Sequence, residues 1–284
     1  MKVLGRAVPI RLDEKVIVVT GAGSPAAGDP EVLGIGAAIA MFSCAAGASV
    51  VVVDRDGEAA ARTVRAIEQQ IGPLALGRVV IAVADVGDDD AGAAVVASAH
   101  SAFGPVTTLV NNVGIAGPPG TAADVDLTAW DAAFAVNVTS MVRMVRAVLP
   151  DMTASGAGSI VNISSLAGLR GGHHGLSYPA AKSTVVGMTT TMAAHHGHAG
   201  VRVNAVVPGT VYTPMVAHRG LTGEARARRS ASTMLGTEGT AWDVAGAVAF
   251  LASDASRWIT AAAIPVDAGL GMLVPGLGVA RDVG

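Results

Sequence analysis

A chain of 284 residues with 51% hydrophobic and only 14% charged residues cannot be intrinsically disordered, and its length suits one α/β domain with short extensions. The formal charge is −3, from 19 basic and 22 acidic residues, and the one basic cluster is Arg226, Arg228 and Arg229, which argues against nucleic acid as a partner. Cys44 is the only cysteine, so a disulfide framework and a Cys-x-x-Cys pair are both excluded, and a reducing cytoplasmic setting is expected.

The N-terminal segment, MKVLGRAVPIRLDEK, holds no apolar stretch long enough for a secretory leader. Beyond it, β-branched runs alternate with Ala-rich segments of helical length. The pattern predicts strands at 15–20, 49–54, 79–84, 108–111, 159–164, 201–206 and 263–267. Helices are predicted between them at 34–46, 57–70, 88–103, 127–155, 178–198 and 240–253. Aromatic residues are scarce (four Phe, three Trp, two Tyr), so the core must be filled by Ala, Val, Leu and Ile. The nearly apolar stretch 36–53 is broken by Ser43, Gly47 and Ser49 and reads as a buried helix, a turn and a buried strand rather than a membrane span. Continuous apolar strands, each followed by a helix, call for a doubly wound parallel sheet with helices on both faces. We therefore expect a single domain over 1–284, with its core at about 14–269 and a C-terminal extension at 270–284. The least patterned segments are 25–33, 168–177, 215–239 and the tail.

Ligands of such sheets bind beyond the carboxyl ends of the strands. The first strand runs into Thr20-Gly21-Ala22-Gly23-Ser24, and Gly34-Ile35-Gly36 opens the first helix. Glycines there let a pyrophosphate approach the backbone, and the helix N-terminus offers N–H donors. Asp54 ends the second strand, either to accept hydrogen bonds from an adenosine ribose or as a solvated strand end. Asp85, beside Val86, ends the third strand and either reaches an adenine or caps a helix.

Tyr178 and Lys182 are spaced i,i+4, which puts both side chains on one helix face. With two tyrosines and three lysines in the chain, this spacing arises by chance in roughly two chains in a hundred. An ammonium about 4 Å from a phenol favours the phenolate by roughly 4 kcal/mol, or about three pKa units. A tyrosine so placed can serve as general acid and base near neutrality.

Taken with these two residues, the chain from about Val16 to Gly269 resembles the short-chain dehydrogenase/reductase family. Asn111-Asn112-Val113-Gly114 is similar to that family's fourth-strand motif, and Asn137 falls at its helix-four asparagine. Ser165, in Ile163-Ser164-Ser165, matches the fifth-strand serine. Pro208-Gly209-Thr210-Val211-Tyr212-Thr213-Pro214 looks like the loop beside the nicotinamide. The resemblance implies a Rossmann-type seven-stranded sheet and reversible hydride transfer between a nicotinamide and a secondary alcohol or ketone. It assigns proton exchange to Tyr178, a hydrogen bond to the substrate oxygen to Ser165, ribose binding to Lys182 and a relay water to Asn137. Cofactor contacts are expected at Gly21, Gly23, Ser24, Gly34, Ile35, Gly36, Asp54, Asp85, Val86, Asn112, Gly114, Pro208, Gly209, Val211 and Thr213, besides Tyr178 and Lys182. The expected cofactor is NAD rather than NADP, the partner a small-molecule alcohol or ketone, and the assembly a homotetramer with neither nucleic acid nor membrane. Two other readings remain: an NADP-dependent ketoreductase of fatty-acid or polyketide type, and a non-catalytic NAD-sensing scaffold.

The chain departs from the family's pattern at three places. Nine residues, 25–33, interrupt the glycine motif, Val113 stands where a smaller Ala is common, and Ala261 replaces a usual Gly. The insertion either bulges beside the pyrophosphate, forms a plain solvent loop, or starts the main helix early at Asp29. Enoyl reductases also interrupt this loop, but they space Tyr and Lys more widely. His195, His196 and His198 suit a helix C-terminus, with no carboxylate or cysteine nearby to complete a metal site, so no metal is expected. His173 and His174 either shape the substrate pocket or belong to a solvated loop. Arg226, Arg228 and Arg229 read as a solvated helical face, Cys44 as a core residue, and Trp130, Trp242 and Trp258 as packing residues.

Overall fold

The computed structural model describes residues 2–3, 6–7, 10–24, 32–217 and 220–273. Seven strands form the central sheet: β1 (Val16–Thr20), β2 (Ser49–Asp54), β3 (Val79–Val83), β4 (Thr108–Asn111), β5 (Gly158–Ile163), β6 (Val201–Pro208) and β7 (Ala263–Val266). Their spatial order is 3-2-1-4-5-6-7, and every pairing is parallel. β1, β2 and β4 are buried on both faces, as their valine-rich runs require. The order reverses between β1 and β4, so the chain leaves these paired strands towards helices on opposite faces of the sheet, and a crevice opens there. Outside the sheet, Lys2–Val3 pairs with Arg6–Ala7, and Val211–Tyr212 pairs with Gly239–Thr240.

The helices of eight or more residues are α1 (Ile35–Ala45), α2 (Gly57–Ile71), α3 (Ala91–Ala102), α4 (Leu127–Phe134), α5 (Ser140–Ser155), α6 (Ser177–His196), α7 (Gly223–Ala231) and α8 (Ala241–Ala252). Local chemistry sets several of their ends. The Asp56 carboxylate accepts from the Glu58 and Ala59 N–H groups to start α2, Asp126 starts α4 the same way, and Thr240 and Asp243 form a capping box on α8. One core layer joins α1, α2 and α8 to one face of the sheet, and a second joins α3, α5 and α6 to the other.

Several expectations need correction. The single helix expected at 127–155 contains a π turn at Ala135–Thr139, which carries Asn137. Leu127–Ser155 is the only described helix long and apolar enough to cross a membrane, and its Met141, Met144, Val145, Val148 and Met152 are buried in the core instead. Helix α7 lies inside a segment that showed no pattern, and its arginines are not simply solvated. Arg228 pairs with exposed Glu224, but Arg226 and Arg229 both bond Glu238, whose side chain is only 5% exposed. Trp258 is 92% exposed and packs nothing, whereas Trp130 stacks on Phe134 and Trp242 packs on the core. Cys44 is buried as expected, and burial pushes its thiol up to about 11. Leu33 packs against the first core layer, but Pro25–Glu31, most of the insertion, lie outside the described residues, as do 274–284 of the tail.

Ala261 holds the left-handed conformation, φ 61°, that a glycine would adopt without strain. Its loop is pinned on both sides. Asn204 Nδ2 donates to the Ile259 carbonyl (2.9 Å), Asn204 Oδ1 accepts from Ala262 N–H (3.1 Å), and Ala261 N–H donates to the Val203 carbonyl (2.8 Å). Ala261→Gly should therefore stabilise the protein by about 1 kcal/mol, raising Tm by about 2 °C in a thermal melt without changing activity.

Candidate active site

A cleft of about 800 Å³ opens at the carboxyl ends of the strands, where the strand order reverses between β1 and β4. Its glycine wall follows from steric necessity. Gly21 sits at φ 63°, and a Cβ on Gly36 would collide with the Gly21 carbonyl oxygen. The two backbone segments can approach this closely only without side chains, which leaves bare peptide groups facing the cleft. Gly34 is the N-cap of α1 and offers no side chain to its N–H groups, and Ile35 begins the helix at the cleft wall. Asn112 closes this corner, its Nδ2 donating to the carbonyls of Thr20 and Gly21, each at 3.0 Å.

Asp54 stands on the rim. Its Oδ2 accepts from Gly23 N–H (2.8 Å) and its Oδ1 from Asp56 N–H (3.0 Å). A Cβ on Gly23 would lie 2.6 Å from that carboxylate, so the glycine lets the acid pack against the loop. Asp85 and Val86 line the same end of the cleft, and Asp85 Oδ1 accepts from Gly87 N–H (2.9 Å). Asp85 thus stabilises a turn while still facing the cleft. Arg55, 78% exposed, reaches to within 3.8 Å of Asp85.

At the other end Ser165, Tyr178 and Lys182 converge with Gly114. Ser165 leaves the end of β5 in extended conformation, and its Oγ accepts from Ala167 N–H (3.2 Å), starting a 3₁₀ turn. The Lys182 ammonium lies 5.8 Å from the Tyr178 ring centroid and donates to the Ile163 carbonyl at 2.8 Å. Ser164 Oγ in turn donates to the Lys182 carbonyl (2.7 Å), tying the end of β5 to α6. Pro208, Gly209, Val211 and Thr213 form the wall facing the glycines, continued by Met215 and Val216.

Two expected residues do not line the cleft. The Ser24 hydroxyl shares a 3.0 Å hydrogen bond with Thr63, and Ser24 N–H donates to the Ala59 carbonyl, so both face α2 and not the cleft. Asn137 is fully buried beneath the cleft, its Oδ1 accepting from Ile115 N–H (2.8 Å) and its Nδ2 donating to the Ile115 carbonyl (2.9 Å). Its amide therefore fixes the loop after β4 next to Gly114. The sequence reading missed Ile115, Val136, Met215 and Val216 as lining residues. They carry no signal beyond adjacency to a motif, because apolar residues abound throughout the chain. Among the described residues no cluster of His, Cys, Asp and Glu could hold a metal ion.

Burial lowers the Lys182 pKa to about 8. The unfolded chain keeps that proton to about 10.5, so between these values the unfolded state binds more protons and stability rises with pH. Relative to Lys182→Met, the wild type should gain about 2 kcal/mol between pH 7.5 and pH 10, read from urea unfolding curves. A constant difference across that range would show that the ammonium is not buried.

A family model described as enoyl-(acyl carrier protein) reductase matches residues 31–271. The chain is 40% identical to 2-(S)-hydroxypropyl-CoM dehydrogenase 3 of Xanthobacter autotrophicus over 266 residues, covering 92% of this chain and 98% of that one. It is 38% identical to cis-4-hydroxycyclohexanecarboxylate dehydrogenase of Sinomonas cyclohexanicum, covering 90% and 96% of the two chains. Among solved structures, a 7α-hydroxysteroid dehydrogenase complexed with NADH and 7-oxo glycochenodeoxycholic acid superposes with a TM-score of 0.82 at 30% identity, covering 93% of this chain and 97% of that one.

Proposed function

Since the chain belongs to the short-chain dehydrogenase/reductase family, we propose that it is an NAD-dependent oxidoreductase that interconverts a secondary alcohol and its ketone, with Tyr178 as general acid and base. The observation that carries this reading is the convergence of Tyr178, Lys182 and Ser165 at one end of a cleft whose other end is a side-chain-free glycine wall. That wall suits a pyrophosphate, and the Asp54 carboxylate on the rim suits an unphosphorylated ribose. The named relatives are dehydrogenases of hydroxyl-bearing small molecules.

A bound nicotinamide supplies the hydride acceptor for oxidation and the donor for reduction. The protein's own work is positioning and proton transfer. Ser165 Oγ is a hydrogen-bond partner for the substrate oxygen, and Tyr178 Oη takes that oxygen's proton in oxidation or returns it in reduction. Near neutral pH Lys182 is mainly an ammonium, held by the Ile163 carbonyl, and it favours the phenolate through space. Asn137 keeps the Gly114–Ile115 backbone in place beside that ammonium. The enoyl reduction named in the matching family model is less well served, because Tyr178 and Lys182 are only four residues apart. A homotetramer is part of the same reading, to be checked by light scattering.

The decisive experiment is a panel of cyclic and aromatic secondary alcohols and ketones, offered with NAD and with NADP and followed by nicotinamide absorbance. Turnover of at least one pair with NAD is expected. No turnover with either cofactor, alongside tight NAD binding, would favour the sensing scaffold instead.

A further inference from the structure

The loop joining the Leu166–Gly168 turn to α6 carries two histidines that the reaction above leaves unassigned. This loop is anchored on both sides of them. Arg170 donates to the carbonyls of Leu270 (2.6 Å) and Leu273 (2.9 Å), while Gly175 bridges to Gly120 and Leu176 N–H donates to the Gly120 carbonyl at 3.0 Å. Between the anchors the half-buried His173 turns back on its own loop, with Nδ1 3.0 Å from the Gly175 carbonyl oxygen and 3.1 Å from the Gly175 nitrogen. Its imidazole then lies against the Tyr178 ring, centroids 5.4 Å apart and planes inclined by 31°. The exposed His174 stacks on His173 at 4.5 Å and 20°.

Tyr178 lies in the first turn of α6, so the helix sets its Cα position but leaves the direction of its phenol to neighbouring groups. Lys182 approaches from the same helix, and His173 comes from the preceding loop. We propose that His173 is a positioning residue for Tyr178: its imidazole face, pinned by the Gly175 backbone, holds the phenol in the orientation that presents Oη to the substrate. This rests on the oxidoreductase reading above. Loss of such a ring contact lowers the occupancy of the productive orientation by about tenfold, and kcat falls with it.

The test compares His173→Ala and His173→Phe with the wild type in the full-length protein. With Tyr178 and Tyr212 as the only tyrosines, 3-fluorotyrosine labelling yields two fluorine resonances, which Tyr212→Phe assigns. In His173→Ala we expect kcat to fall about tenfold, the deuterium isotope effect on kcat to rise, NAD affinity to stay within about twofold, and the Tyr178 resonance to shift. His173→Phe keeps an aromatic face and should restore kcat to within about threefold of wild type. Wild-type kcat and isotope effect in His173→Ala would overturn the proposal, and so would a His173→Phe variant as slow as His173→Ala. If the wild type itself turns over no alcohol with either cofactor, the oxidoreductase reading fails, and positioning for that reaction fails with it. The Tyr178 resonance still reports the contact separately, and its indifference to His173→Ala would refute the ring contact on its own.

Discussion

Tyr178→Phe should lower kcat/KM for alcohol oxidation by about 10³, the scale of a lost general base, while the NAD dissociation constant stays within about threefold. The substitution removes one oxygen and keeps the ring, so the contact with His173 and the packing around Lys182 survive. Lys182→Ala differs in kind. It empties a buried site, removes the donor to the Ile163 carbonyl and deletes the positive charge beside the phenol, so both turnover and cofactor binding should weaken. Steady-state kinetics combined with a fluorescence titration of NAD separate the two variants. A Tyr178→Phe protein retaining about a tenth of wild-type kcat/KM would mean that another group moves the proton.

NAD should be preferred over NADP by at least about a hundredfold in kcat/KM, and Asp54→Asn should shrink that preference to within about tenfold. The Asp54 carboxylate is held at the cleft rim by the N–H groups of Gly23 and Asp56, so it cannot easily swing away from a phosphate placed there. Asn keeps an acceptor for Gly23 N–H and removes the charge, while its Nδ2 takes the place of the oxygen that accepts from Asp56 N–H, an exposed contact of small weight. Of the described cations near Asp54, Arg55 leans towards Asp85 in a largely exposed ion pair of little strength, and Arg62 is engaged by the Ser24 carbonyl and the Asp56 carboxylate. Kinetics with both cofactors on wild type and variant decide the matter. Equal use of NAD and NADP by the wild type would refute this role for Asp54.

The seven strands and most helix boundaries were legible because their causes are local. Val-rich runs such as Val16–Thr20 and Ser49–Asp54 fit only strands buried on both faces, and Ala-rich segments of eleven or more residues between them fit only crossover helices. The site was legible in its chemistry for a similar reason: the glycines, Asp54, Ser165, Tyr178 and Lys182 each follow a strand end or share one turn of a helix. Ser24 misled because adjacency to the glycines says nothing about rotation. One residue past Gly23 the chain turns its hydroxyl to Thr63, on a helix that approaches only in the folded state. The arginines of α7 misled likewise, since their anchor, Glu238, lies beyond the helix and is buried by tertiary packing.

By itself, then, the sequence determined the element order, the parallel sheet and most of the polar residues that line the candidate cleft, since these depend on periodicity, β-branching and spacing within a few residues. Only the tertiary structure decided which groups meet across tens of residues of chain. It placed Asn137 in a π turn against Ile115, strained Ala261 into the left-handed region under the grip of Asn204, and laid His173 against Tyr178. Such contacts arise where separately specified elements pack together, and their geometry is set by the shapes of both partners, which no local pattern encodes.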